Sequence, residues 1–172
     1  MLTHPWFWKM QRGNLPSFVL PEKTAMYHPR NAGGYSMETL VPLDAVTHPD
    51  PAKAARLTAV MLAAGADPNG LYSEEYRDTP MHRVLHPVCV NLLMAARANL
   101  EARDSKGWTP LYTAVDDMGR SDSQAKRDLL AAAVLHMADW GADLVNTGGE
   151  PGRVQRRVQE LRQARDGSEG AE

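Results

Sequence analysis

His82, His86 and Cys89 fall within TPMHRVLHPVC, Thr79 to Cys89, separated by three residues and then two. Neutral imidazole and thiolate are preferred zinc donors. Two histidines four apart share one face of a helix. A metal site therefore needs all three side chains to converge, whereas in a repeat they could take separate structural places and never meet. Other candidate chemistry is weaker. Asp116 and Asp117, with Asp122 nearby, could be paired acids, but adjacent residues on a helix do not face one another. No GxSxG, HExxH, Walker-type or dinucleotide-binding glycine pattern occurs. TGGEPG, Thr147 to Gly152, reads as a loop before a helix rather than a phosphate cradle. No catalytic residue, metal or cofactor is expected.

What must position these residues is one architecture, because 172 residues suffice for one core and not for two ordinary domains. The balance of 19 basic and 21 acidic side chains creates no general field for nucleic acid or an anionic membrane. The basic run RVQRRVQELRQAR lacks interleaved aromatics and reads as a solvated helix face. A lone cysteine leaves no internal disulfide framework and suits a reducing compartment. The start, MLTHPWFWKMQRGNLPSF, lacks a basic segment followed by an unbroken apolar run, and no later stretch reaches membrane-spanning length. The expectation is a cytoplasmic protein that binds neither nucleic acid nor membrane.

The chain repeats itself. MLAAGADPNG, LMAARANLEA and HMADWGADLVN end alike; LVPLDAV, DTPMHRVL and GWTPLYTAV begin alike, and the two sets alternate. Thr79–Pro80 and Thr109–Pro110 place a capping hydroxyl before a proline that fits the first helical turn. Gly65 and Gly141 stand where a helix ends in a left-handed residue, a rule that Arg97 breaks. Together these segments resemble ankyrin repeats, over roughly residues 36 to 147 and most specifically in NLEARDSKGWTPLYTAV. The resemblance implies an all-α solenoid of about three helix-turn-helix repeats with β-hairpin tips, near 39–70, 71–102 and 103–147. The middle repeat is short, and the third carries an insertion, DDMGRSDSQAKRD. Residues 1–38, with Trp6, Phe7 and Trp8, are expected to form an irregular aromatic cap or else a partner anchor. Residues 150–166 carry Val154, Val158 and Leu161 on one stripe and are expected to be a capping helix. A disordered tail is expected at 167–172.

The resemblance also bears on the opening histidines. It puts His82 at a position that braces neighbouring repeats, His86 near the end of the first helix on its variable concave side, and Cys89 in a buried second helix beyond the break at Pro87. It implies no catalysis and a protein partner bound along the concave face. The expected contacts are Tyr72, Glu75, Tyr76 and Arg77 at one tip and Arg103, Ser105, Lys106 and Trp108 at the next. Behind them in the first helices come Arg83, His86, Thr113, Asp116 and Asp117. Tyr, Trp and Arg are the side chains enriched at binding hot spots; the competing role for Trp108 is packing against the adjacent tip. Inhibition of a bacterial enzyme or toxin ranks first, followed by a scaffold or adaptor and a delivered effector. An enzyme is the rival from another class.

Overall fold

Proline and left-handed residues cut the chain into helix pairs. A computed structural model describes residues 43–169, with side chains described from 45 to 167; the aromatic segment with Trp6, Phe7 and Trp8 lies outside them. The helices pair as α1 (Leu43–Val46) with α2 (Pro51–Ala63), α3 (Pro80–Arg83) with α4 (Pro87–Ala95), and α5 (Pro110–Arg120) with α6 (Gln124–Asp139). A single helix, α7 (Arg153–Glu169), follows. Four of these helices open on proline, whose missing N–H costs nothing in a first turn. Side-chain caps satisfy other free amides: Asp50 accepts from Ala52 N–H at 2.9 Å and Lys53 N–H at 3.0 Å, and Thr109 accepts from Tyr112 N–H at 3.3 Å.

The fold is all-α. First helices α1, α3 and α5 pack in succession, second helices α2, α4 and α6 likewise pack in succession as a second layer, and α7 lies against both α5 and α6. Between the layers runs one apolar core, including Val46, Met81, Val90, Leu93, Leu111, Met118, Leu130 and Met137. Each such side chain, fully buried, contributes about 1.5–3 kcal/mol. Val154 and Val158 of α7 extend that core, with Leu161 partly buried beside them. The helix starts later than expected and continues past 166, so residues 167–169 are helical rather than part of a disordered tail.

The tips require a correction. No strand forms among the described residues, so the expected β-hairpins are turns instead. One tip is closed by Tyr72 N–H donating to the Asp78 carbonyl at 2.8 Å, the next by Asp104 N–H donating to Trp108 at 3.1 Å. Arg77 (φ 57°) and Gly107 (φ 77°) are the left-handed residues of these two turns.

The three exits share one geometry. Gly65, Arg97 and Gly141 have φ of 91°, 67° and 93°. The following Ala66, Ala98 and Ala142 donate back to Met61, Leu93 and Met137 at 2.9, 2.9 and 3.1 Å, which closes each helix end. Next, Asp67, Asn99 and Asp143 accept from the amide two residues on, at 2.8, 2.9 and 2.7 Å. In the last of these turns the Val145 amide, with Asn146, holds the Asp143 carboxyl below its usual range. Rungs then join neighbouring exits. Asn69 Oδ1 accepts from Asn99 N–H at 2.7 Å, and Glu101 Oε1 accepts from Asp143 N–H at 2.8 Å.

Candidate partner-binding surface

The two tips are joined through the main chain, with Ser105 N–H donating to the Tyr76 carbonyl at 2.8 Å. Ser73 fixes the first tip by accepting from Tyr76 N–H through its hydroxyl at 3.0 Å and from Arg77 N–H through its carbonyl at 2.8 Å. Tyr76 is 50% exposed. Glu75 and Arg77 are exposed beside it, and Tyr72 is partly buried at the base of the tip. Ser105 and Lys106 are exposed on the second tip.

Trp108 departs from the expected exposed anchor. Its ring is half-buried and sits 4.8 Å from the Tyr112 ring, tilted by 53°, with Lys106 Nζ 4.4 Å from its centroid. It therefore packs on the first helix of its own repeat. Arg103 is exposed but occupied, donating to the carbonyl of Gly107 at 3.0 Å and to that of Asn146.

Behind the tips the expected set divides. Arg83 is exposed and donates through Nε to Asp78 Oδ2 at 2.7 Å. Asp117 is half-buried. Thr113 is partly buried, and its hydroxyl has no hydrogen-bond partner among the described residues. His86 and Asp116 must be corrected, because both are buried and neither lines an open surface. His86 lies beyond the first helix, at the cap of α4, and its Nε2–H donates to the His48 carbonyl at 2.8 Å. Asp116 forms ion pairs with Arg120 at 3.0 Å and Arg153 at 2.9 Å. Both residues stand six positions after the proline of their repeat, where the side chain meets a neighbouring unit instead of solvent.

The opening triad is held by three separate partners. His82 is buried; its Nδ1 accepts from Thr79 N–H at 3.2 Å, so Nε2 carries the proton and donates to the Trp108 carbonyl at 3.1 Å. That bond ties the middle repeat to the third. Burial pushes the imidazole below the ordinary 6.5, partly opposed by the Trp108 bond and by Asp78 and Asp104. Cys89 is fully buried in α4 with its Sγ 3.7 Å from Thr58 Oγ1, and burial raises its thiol. Among the described residues, no three His, Cys, Asp or Glu gather to hold a metal ion.

One bridging residue went unrecognised in the sequence. Tyr112 occupies the place of His82 in the third opening motif, and its hydroxyl accepts from Glu150 N–H at 3.0 Å and Arg153 Nη1 at 3.3 Å. The signal was present in the match between TPMH and TPLY. No described helix is long and apolar enough to cross a membrane. Compared with known proteins, the chain matches no family model and no curated sequence.

Proposed function

We propose that this is an ankyrin-type repeat protein that works without catalysis, binding another protein along its tips and first helices and thereby inhibiting a bacterial enzyme or toxin. Two stacked helix layers and three equivalent exits support the family reading. The observation that carries the binding reading is the Ser105–Tyr76 bond, which fixes two tips as one surface with an exposed tyrosine on it. Such a surface loses little freedom on binding, so more of its contact energy appears as affinity. The alanine- and arginine-rich composition favours a bacterial or phage setting, where a small rigid binder acts by occupying its partner's working surface.

The test begins with affinity capture from the native cell, using the full chain. Tyr76→Ala is expected to cost about 2 kcal/mol or more of affinity for the captured partner while leaving the melting temperature unchanged. Normal binding by that variant would remove the tip surface from the argument. Titration of the partner's activity should reach a one-to-one endpoint; a saturated partner with full activity would make the chain a scaffold instead.

A further inference from the structure

Asn69–Gly70 is the sole Asn–Gly pair in the sequence. An asparagine carboxamide followed by glycine is the arrangement most open to attack by its own main chain, because the next residue has no Cβ to obstruct the approach. The pair lies in the first exit, with Asn69 exposed.

Every polar group that this attack needs is engaged while the exit is closed. Asn69 Oδ1 accepts from Asn99 N–H at 2.7 Å, and Nδ2 donates to the Arg97 carbonyl at 3.2 Å. Gly70 N–H, whose nitrogen is the nucleophile, donates to the Asp67 carbonyl at 3.2 Å. The carboxamide is thus committed to the second repeat and the nitrogen to the first. Both must be released before Cγ and the Gly70 nitrogen can meet, so the reaction needs the joint between the first two exits to open.

We propose that Asn69 is a self-modification site gated by this joint: when the first two repeats part, the chain deamidates there. Gly70 N–H gives its proton to solvent base, the nitrogen bonds to Asn69 Cγ, and the Cγ–N bond of the carboxamide breaks, its amine taking a proton and leaving as ammonia. Water, the one co-reactant, then opens the cyclic imide at either carbonyl to give aspartate or isoaspartate. The two products affect the joint differently. Aspartate keeps an oxygen for Asn99 N–H, as the Glu101 carboxylate does for Asp143 N–H in the next joint. Isoaspartate adds a methylene to the main chain and displaces both the turn and the acceptor. The proposal is independent of the protein-binding reading.

The full chain kept native at mildly alkaline pH, compared with the same chain unfolded in guanidinium chloride, tests it by peptide mapping for a mass gain of about 1 Da at Asn69. Conversion should be about tenfold or more slower in the native chain. Asp50→Ala removes the carboxylate that caps α2 and should speed native conversion about fivefold while leaving the unfolded rate unchanged. Guanidinium below the unfolding transition should act in the same direction, and it supplies the test if that variant fails to fold. Hydrogen exchange at Asn99 N–H should quicken in the isoaspartyl product and stay near the original in Asn69→Asp. Equal native and unfolded rates, or an unfolded chain that does not convert, would overturn the site. A native rate that neither Asp50→Ala nor dilute guanidinium raises would overturn its gating by the joint.

Discussion

Arg97 holds a backbone conformation that suits glycine, between two repeats where glycine performs the same turn. A side chain in this region costs on the order of 1 kcal/mol. Its carbonyl, not its guanidinium, makes the described contact, accepting from Asn69 Nδ2 at 3.2 Å. Arg97→Gly keeps that bond and should raise unfolding stability by about 1 kcal/mol in urea titrations. In the sequence Arg97 was an exception to the exit rule, yet its backbone is no exception, because the bonds from Ala98 and to Asn69 impose the turn. His82 gives a second prediction at this scale. The folded imidazole resists protonation, so the unfolded chain takes up the proton first as pH falls below 6.5. Stability contributed by neutral His82 is fully present above that value and is lost toward the lowered folded one. Between about pH 7 and pH 5 the wild type should lose stability more steeply than His82→Gln. Equal slopes would remove His82 as the source.

At the scale of elements, α7 depends on a close approach that only glycine permits. A Cβ at Gly149 would lie 1.9 Å from the Tyr112 ring, whose hydroxyl receives the chain just before the helix. Gly149→Ala should therefore destabilise by about 1–3 kcal/mol, and hydrogen exchange should quicken first in Arg153–Glu169. Uniform quickening across all helices would show that α7 is not separately hinged on this contact. The helices themselves were legible, since Thr–Pro openings, left-handed exits and the Val154–Val158–Leu161 stripe are local signals. His86 and Asp116 were misplaced because their surroundings are not local: one reaches back to His48, the other forward to Arg153.

For the whole molecule, the tips divide buried support from exposed side chains: Trp108 is half-buried against Tyr112, and Tyr76 is exposed. Trp108→Ala removes the ring packed at a tilt against Tyr112 and should lower stability by about 1–2 kcal/mol, whereas Tyr76→Ala should leave it unchanged. Thermal melts of the two variants separate these roles, and an equal loss in both would merge them. All the rungs described run between adjacent units: Asn69 to Asn99 and Glu101 to Asp143 at the exits, His82 to Trp108 and Tyr112 to Glu150 near the tips. Nothing in that scheme fixes how many units there are. A tandem duplicate of residues 71–102 would offer its neighbour a Glu101 carboxylate opposite an Asn99 amide, and a His82 ring opposite the carbonyl of residue 78. The gene could lengthen by whole units, adding exposed tip surface at each step, without inventing a new kind of joint.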